Sequence, residues 1–333
     1  MTPSTSGDGI TTIDLNESGM LIESDSGRAI PAEAVAPSLN RMIEVSSDIT
    51  DIFIFVHGWR NSRERASRDV ARLAGLLSEQ FMRRKHLYPS LGGFRPMFIL
   101  IRWPSMSNPF PGGYRQIRER AHAMTTHGYA DFVIAHVLGY LNSVRELPSD
   151  RPPTLRTNKG QYLHCIGHSF GGRFLCEAVM AAADPTAPTL AWPWRSSDYP
   201  YTVDTLLVFQ MATRPDDFAY RYASLLETAP ISGPIVLTFS RGDRALKLWH
   251  RFAEGSRGLG ALGANAPQEA IQSVRLPRMD ERLIIQSDKG RIVNVDSTWR
   301  FKRGRFFYAA GAHSDIWYLE SANLVLSLVD AAR

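Results

Sequence analysis

The feature that most constrains this chain is a serine between two glycines, placed directly after an apolar run. The run is Tyr162–Ile166, and Gly167-His168-Ser169-Phe170-Gly171 follows it. Glycines on both sides of a serine allow the sharp strand-to-helix turn that lifts the hydroxyl clear of a sheet. Residues 173–183 are rich in helix formers and contain neither proline nor glycine. The pattern therefore predicts strand, tight turn and helix, with Ser169 at a helix N-terminus.

This motif resembles the nucleophile turn of the α/β-hydrolase superfamily, in particular of its esterase and lipase-like serine hydrolases. The resemblance covers about residues 45–333 and is greatest to uncharacterised bacterial members. It implies a nucleophile, an acid and a histidine in this chain order, each on a loop at the carboxyl end of a strand. On this mapping Ser169 is the nucleophile, and Gly167, His168 and Gly171 support the turn.

Candidates for the two partners follow in the required order. The apolar run Ile235–Ser240 leads into Arg241-Gly242-Asp243, which makes Asp243 the leading candidate for the acid. His313 lies after a predicted strand at 305–310 and before a predicted helix at 316–329, where the superfamily keeps its base. Other carboxylates near strand ends or close upstream of His313 remain alternatives for the acid, namely Asp216, Asp217 and Asp296.

A second motif lies upstream of the serine. A predicted strand at 52–56 runs into His57-Gly58-Trp59. An apolar strand followed by His-Gly-aromatic resembles the oxyanion-hole loop of the superfamily. The resemblance implies that the backbone N–H groups of Trp59 and Phe170 bind the negative oxygen of a tetrahedral intermediate. His57 and Gly58 then support this loop, and His57 is not expected to act as a base.

The alternation of predicted strands and helices favours the α/β class, with a mostly parallel central sheet flanked by helices on both faces. Helices are predicted near 63–86 and 116–146. Strands are predicted at six places, near 52–56, 97–103, 162–167, 203–210, 235–240 and 305–310. Ligands of such sheets bind outside the carboxyl ends of the strands, where the loops named above would meet.

The domain organisation follows from length and composition. A chain of 333 residues with 44% hydrophobic residues can bury a large core. We predict one catalytic domain over 46–333 after an N-terminal extension over 1–45, partly disordered or folded as a small hairpin. Three insertions are predicted, near 104–115, 185–201 and 255–267. The second and third are candidates for a lid, and the second contains Trp192, Trp194 and Tyr199.

Composition also bears on partners and location. The formal net charge of +5 comes with no recognised nucleic-acid module, so nucleic-acid binding is not expected. There is no basic and apolar leader segment, and no apolar stretch is long enough to span a membrane. The two cysteines, Cys165 and Cys176, suit a reducing compartment. We expect a cytoplasmic protein without metal or cofactor, and the sequence leaves its oligomeric state open.

These observations predict a serine hydrolase that cleaves carboxylic esters, of small molecules or lipids, through a Ser-His-Asp triad and an acyl-enzyme. An amidase, a thioesterase or a phospholipase would use the same residues, so these alternatives stay open. A non-catalytic binding protein on the same fold is the remaining alternative. The presence of Ser169, Asp243, His313 and the His57-Gly58 loop argues against it.

Overall fold

The computed structural model describes residues 9–108, 111–145, 161–183, 203–227, 231, 233–285, 291–302 and 310–333. Its strands are β1 Ile10–Leu15, β2 Leu21–Ile22, β3 Asp51–Val56, β4 Pro96–Arg102, β5 Tyr162–His168, β6 Thr205–Phe209, β7 Ile235–Phe239, β8 Ile271–Arg275 and β9 Ile292–Asp296. These described strands form one sheet in the order β2-β1-β4-β3-β5-β6-β7-β9-β8. Every neighbouring pair is parallel except β1 with β2.

The described helices are α1 Ala32–Met42, α2 Arg63–Arg84, α3 Pro111–Thr126, α4 Ala130–Arg145, α5 Phe170–Ala183, α6 Ser224–Glu227, α7 His250–Glu254, α8 Leu259–Leu262 and α9 Leu319–Ala331. A single turn of π-helix over Ala245–Trp249 leads into α7. Among these helices none is long and apolar enough to cross a membrane.

The central strands of the sheet are covered on both faces, and β3 shows why they are largely apolar. Alternate side chains of a strand point to opposite faces. Ile52, Ile54 and Val56 belong to a core cluster shared with α3, α4 and α5, whereas Phe53 and Phe55 belong to a second cluster shared with α2 and α9. The predicted α/β class, with a mostly parallel sheet between two helical layers, is confirmed.

The long helix predicted near 116–146 is wrong, because the chain forms two helices, α3 and α4, instead. The break lies at Gly128, which packs against the loop between β1 and β2. A Cβ at Gly128 would lie 2.4 Å from the backbone oxygen of Ser18. The N–H group of Tyr129 donates to the same oxygen at 3.0 Å. A tertiary contact with Ser18 therefore lies at the break between the two helices. The residue composition of 116–146 does not predict this contact.

The remaining differences concern both ends of the chain. β8 and β9 were not predicted, and each interleaves polar with apolar residues over only five positions. The strand predicted at 305–310 lies outside the described residues except for Ala310. At the N-terminal side, β1 and β2 form an antiparallel pair, and β1 lies parallel to β4. The division into an extension over 1–45 and a domain over 46–333 stays a prediction.

Candidate functional site

Ser169 occupies the turn between β5 and α5, at the carboxyl edge of the sheet. Its φ is 56°, a left-handed conformation that is uncommon for a residue other than glycine. The Ser169 N–H donates to the carbonyl of Phe209 at the end of β6, at 2.9 Å. The Ser169 carbonyl accepts from the N–H of Gly172 at 3.1 Å. Bonds to a neighbouring strand and to the first helical turn thus hold the strained residue in place.

The glycines around Ser169 are required by space rather than by their own φ values. A Cβ on Gly171 would lie 2.0 Å from the carbonyl oxygen of Val56, because α5 begins directly against the end of β3. A Cβ on Gly167 would lie 2.6 Å from the Cα of Gly172. Both approaches are far inside van der Waals contact, so a side chain at either position would push the turn open.

The structure brings Ser169, His313 and Asp243 together in one hydrogen-bonded chain. The Ser169 hydroxyl lies 2.8 Å from Nε2 of His313, and Nδ1 of His313 lies 2.7 Å from Oδ2 of Asp243. The Asp243 carboxylate fixes the tautomer, since Nδ1–H donates to it and leaves Nε2 free to accept from the hydroxyl. All three residues are buried, with exposed fractions of 0%, 3% and 0% in the order Ser169, His313, Asp243.

Two loops pair directly to bring the histidine to the carboxylate. After β7 the chain turns back, with the Asp243 N–H donating to the carbonyl of Ser240 at 3.0 Å. The loop that carries His313 fastens onto this turn. Ala312 N–H donates to Gly242 at 3.1 Å, and Ala245 N–H donates to Ala310 at 3.2 Å. The position of His313 is therefore set by backbone bonds on both sides of Asp243.

Gln210 is a site residue that the sequence analysis missed. Its Nε2 donates to Oδ2 of Asp243 at 3.0 Å, and the N–H of Leu246 donates to Oδ1 at 2.9 Å. With His313 these two donors give the carboxylate three partners. Gln210 directly follows β6, the neighbour of the strand that leads to Asp243. In the sequence, Gln210 could have been noticed because it ends the predicted strand 203–210. To predict its contact with Asp243, one also needs to know that β6 and β7 are neighbours in the sheet.

The alternative acids lie elsewhere in the hydrogen-bond network. Asp217 accepts from the Thr213 hydroxyl and from the N–H of Arg214. Asp216 pairs with the Arg214 guanidinium at 3.0 Å. The carboxylate of Asp296 accepts from the N–H of Thr298 at 2.9 Å. In the described part of the chain, none of the three carboxylates contacts the imidazole of His313.

His168 precedes Ser169 in the sequence, and its side chain contacts the loop that carries His313. The Nε2–H group of His168 donates to the backbone oxygen of His313 at 2.8 Å. Burial, together with the nearby His313 ring, lowers the pKa of His168 to about 3. His168 therefore stays neutral near pH 7 and holds the loop without adding a charge beside the His313 ring.

The His57-Gly58-Trp59 loop passes directly against the serine. A Cβ on Gly58 would lie 2.9 Å from the Cβ of Ser169. His57 accepts the Trp103 N–H at Nε2 over 3.2 Å, and its Nδ1–H donates to the Gly58 carbonyl at 2.9 Å. Burial lowers the pKa of His57 to about 4, so the ring is neutral near pH 7. The ring is held by backbone groups on both sides, as expected for a structural residue.

Aromatic rings surround the place where Trp59 and Phe170 approach the serine. The Trp59 ring lies 5.4 Å from Tyr114 and 5.4 Å from Trp249, and Tyr114 lies 5.4 Å from Phe170. The Tyr114 hydroxyl is buried and has no hydrogen-bond partner in the described structure. Burial, followed by the charge of Asp243, raises the pKa of Tyr114 well above its usual value. The wall beside the serine is therefore apolar with one neutral hydroxyl.

Two of the predicted insertions support this region. In the segment near 104–115, Ser105 accepts the N–H of Arg60 at its carbonyl and the N–H of Asn61 at its hydroxyl, at 2.9 and 3.1 Å. In the segment near 255–267, the Gly258 N–H donates to Leu246 at 2.7 Å. The third segment, 185–201, lies outside the described residues, together with Trp192, Trp194 and Tyr199.

A charged cavity lies beside α5. Its volume is about 350 Å³, and the ion pairs between its arginines and glutamates include Arg118 with Glu254 at 3.5 Å. The residues that line it are Arg118, Glu119, His122, Arg173, Arg221 and Glu254. Across the described residues, no group of three or more histidine, cysteine, aspartate or glutamate side chains is arranged to hold a metal ion.

Comparisons with known proteins add little to this geometry. No family model matches the chain. No curated protein matches it significantly. Among solved structures, phospholipase PlaB from Legionella pneumophila in complex with thio-NAD is similar, with 17% identity and a TM-score of 0.24. The match covers 54% of this chain and spans only 30% of the length of that protein, a likeness too slight to bear on fold or activity.

Proposed function

We propose that this chain is a serine hydrolase of the α/β-hydrolase type that cleaves carboxylic esters of small molecules or lipids. One observation carries the proposal, the hydrogen-bonded chain from Asp243 through His313 to Ser169 with distances of 2.7 and 2.8 Å. A serine on a strained turn, a histidine with its second nitrogen bound to a carboxylate, and a helix N-terminus beside the serine are the parts that acyl transfer requires.

Each residue has a defined role in the proposed reaction. Oγ of Ser169 attacks the acyl carbon while Nε2 of His313 takes the hydroxyl proton, and Asp243 stabilises the imidazolium that forms. The N–H groups of Trp59 and Phe170 bind the oxyanion of the tetrahedral intermediate. His313 then protonates the leaving alcohol, and an acyl-enzyme on Ser169 remains. Water, activated by the same histidine, releases the acid and restores the serine.

The surroundings of the three residues support a reactive site rather than a binding pocket alone. His57 and His168 are both neutral near pH 7, with pKa values lowered to about 4 and about 3 by burial. The positive charge of a protonated His313 is therefore stabilised by the carboxylate of Asp243. Neither His57 nor His168 repels it, because both rings are neutral. A pseudo-enzyme that binds a ligand has no need of an aligned serine, histidine and carboxylate.

The decisive experiment is active-site labelling of the full chain with a fluorophosphonate, which reacts with activated serines. We expect labelling of the unaltered chain and its complete loss in Ser169→Ala. Ser321→Ala is the matched control, because Ser321 is also buried and its hydroxyl has no partner among the described residues. This control should label fully. Absence of labelling in the unaltered, folded chain, or labelling that survives in Ser169→Ala, would contradict the proposal.

Substrate class is then decided by comparing leaving groups on one acyl chain. A p-nitrophenyl ester, a thioester and an anilide of the same acid differ only in the bond that breaks. We expect the ester to give the highest kcat/KM with the unaltered chain. A faster anilide or thioester would assign an amidase or a thioesterase to the same residues. A series of acyl lengths, followed by a phospholipid, separates a small-ester esterase from a lipase or phospholipase.

A further inference from the structure

The segment Ala245–Glu254 begins two residues after the proposed acid, and over 245–252 it alternates pairs of buried and exposed residues. Ala245, Leu246, Trp249 and His250 are buried, and the intervening residues at 247, 248, 251 and 252 are exposed. A repeat of about four residues places each set on one side of a helix. The segment therefore has an inner face against the domain and an outer face toward solvent.

The outer face carries two large apolar side chains. Leu248 is 47% exposed and Phe252 is 81% exposed. Being four residues apart on successive turns, they are neighbours on the helix surface. Exposed apolar residues scattered singly are ordinary, whereas these two lie side by side on one helix face.

The same face also carries positive charge. Five exposed cations lie on it or at its two ends, and none forms an ion pair with a described residue: Arg241, Arg244, Lys247, Arg251 and Arg257. The two acids of this stretch face inward. Asp243 is buried, and Glu254 faces Arg118 and Arg173 at 3.5 and 3.9 Å. On α2, by contrast, Arg83 lies 3.1 Å from Glu79.

The inner face touches the proposed catalytic residues. The N–H of Leu246 donates to Oδ1 of Asp243 at 2.9 Å. The ring of Trp249 packs 5.4 Å from that of Trp59, on the loop proposed to bind the oxyanion. Whatever binds the outer face is therefore one helix thickness from the site of acyl transfer.

We propose that Leu248 and Phe252, with the cations Arg241, Arg244, Lys247, Arg251 and Arg257, form a docking face for the surface of an anionic lipid bilayer. Lysine and arginine are attracted to lipid phosphates, while leucine and phenylalanine enter the boundary between headgroups and acyl chains. A nucleic acid duplex or free phosphate would neutralise the cations and leave both apolar side chains in water. The combination of the two kinds of residue therefore favours a bilayer.

The test is co-sedimentation of the full chain with vesicles, carried out on Ser169→Ala so that no lipid is consumed. We expect binding to vesicles that contain phosphatidylglycerol, little binding to pure phosphatidylcholine, and release at high salt. Because binding is measured without turnover, this result is independent of the proposed hydrolase activity. No binding to anionic vesicles would overturn the proposal.

Variants of the face locate the binding. Neutralising Lys247→Gln with Arg251→Gln should lower the partition coefficient about 25-fold, at about fivefold per cation. Leu248→Ser with Phe252→Ser should lower it at least tenfold, because both apolar side chains lose their lipid contact. Ile284→Ser and Arg83→Gln are the controls, since Ile284 is 71% exposed and the Arg83 side chain is 66% exposed elsewhere on the surface. They should bind as the parent does.

Hydrolysis of a water-soluble ester should be unchanged in all four variants when Ser169 is present. Equal loss of vesicle binding in the face variants and the controls would overturn the assignment to this face. Binding of an oligonucleotide through Lys247 and Arg251, with anionic vesicles left unbound, would overturn the bilayer and favour a nucleic acid instead.

Discussion

The Asp243 carboxylate shows, at the scale of single residues, how a buried charge is kept in place. It accepts hydrogen bonds from His313 at 2.7 Å, Gln210 at 3.0 Å and Leu246 at 2.9 Å. Burying a charge is costly unless hydrogen bonds compensate for lost water. Three donors, one of them backbone, provide that compensation and orient the carboxylate toward the imidazole.

Asp243→Asn should lower kcat by about 10⁴-fold, as tautomer-controlling changes do in other triads. The amide would favour the wrong imidazole tautomer, with Nδ1 as the acceptor and Nε2 carrying the proton. Asp217→Asn and Asp296→Asn are the controls and should change kcat less than threefold, since their carboxylates bind local hydroxyl and N–H groups. Steady-state hydrolysis of a p-nitrophenyl ester measures all three. A large loss in either control would move the acid role to that residue.

The chain order of motifs was enough to propose Ser169, Asp243 and His313, but not to predict their supporting residues. Gln210 and His168 act through contacts to Asp243 and to the backbone of His313. The contact of Gln210 depends on β6 and β7 being neighbours in the sheet, and the contact of His168 depends on the conformation of the loop that carries His313. Neither can be predicted from the residues adjacent in sequence. The sequence favoured Asp243 over three other carboxylates, and the structure adds the contact between Asp243 and His313 at 2.7 Å.

Stability should fall as the pH falls from about 6.5 to about 4. Burial lowers the pKa of His57 to about 4 and of His168 to about 3, from 6.5. Burial also lowers the pKa of His250. In this range the unfolded chain binds protons that the folded chain does not, so acidification favours unfolding. For His57 the effect is on the order of 3 kcal/mol at the acid end.

Urea unfolding at about pH 7.5 and about pH 5 measures this slope. His168→Gln should flatten it, because the amide can donate to His313 without titrating. His86→Gln, at an exposed position, should leave the slope as it is. A stability that does not change over this range would contradict the assignment of buried neutral histidines.

At the scale of elements, the contact between α5 and the end of β3 decides whether the serine turn can form. The helix starts so close to β3 that Gly171 faces the Val56 carbonyl with no room for a side chain. Glycine in this helix costs backbone entropy, about 0.5–1 kcal/mol relative to alanine. The close approach is worth that cost because it sets the N-terminus of α5 beside Ser169.

Gly171→Ala should destabilise the fold by more than about 3 kcal/mol, since its Cβ would lie 2.0 Å from a backbone oxygen that cannot move alone. Gly75→Ala is the matched control. Gly75 lies on the exposed side of α2, with nothing within 4 Å of its Cβ position, and should gain about 0.4–1 kcal/mol. Urea unfolding compares them. Similar stabilities for both variants would show that the turn tolerates a side chain.

The sequence predicted best those strands that form a continuous, mostly apolar run of residues. The strands near 52–56, 97–103, 162–167 and 235–240 are largely buried on both faces and are therefore mostly apolar, with a few polar residues such as His164 and Thr238. β8 and β9 lie at one end of the sheet, interleave polar residues and give no such signal. The break between α3 and α4 depends on Ser18, more than a hundred residues earlier in the chain.

At the scale of the whole molecule, Arg333 joins the end of α9 to the start of the central strands. Its guanidinium lies 2.9 and 3.0 Å from the two carboxylate oxygens of Asp51 and 4.3 Å from the ring of Tyr162. Asp51 is completely buried and also contacts His164 at 3.0 Å. The pair thus lies at the edge of the sheet opposite to Ser169.

Arg333→Ala should cost about 3–5 kcal/mol of folding free energy, because it leaves the Asp51 carboxylate buried without its cation. Asp51→Asn in the same chain should recover part of the loss, since the unpaired charge is then gone. Urea unfolding of both single variants and the double variant gives the coupling energy. The kcat of folded protein should be unaffected in each. Additive losses, with no coupling, would show that the ion pair is not the source of the stability.

The distance along the chain between the two ends of one hydrogen bond has a consequence for biosynthesis. Ser169 and His313 are 144 residues apart in sequence. At about 5–20 residues per second, a ribosome needs about 7–30 s to add that length. During this interval the nascent chain carries its serine hydroxyl with no base beside it. On the proposed mechanism, reactivity therefore begins only after His313 has been synthesised, and nascent chains that still lack this residue do not react.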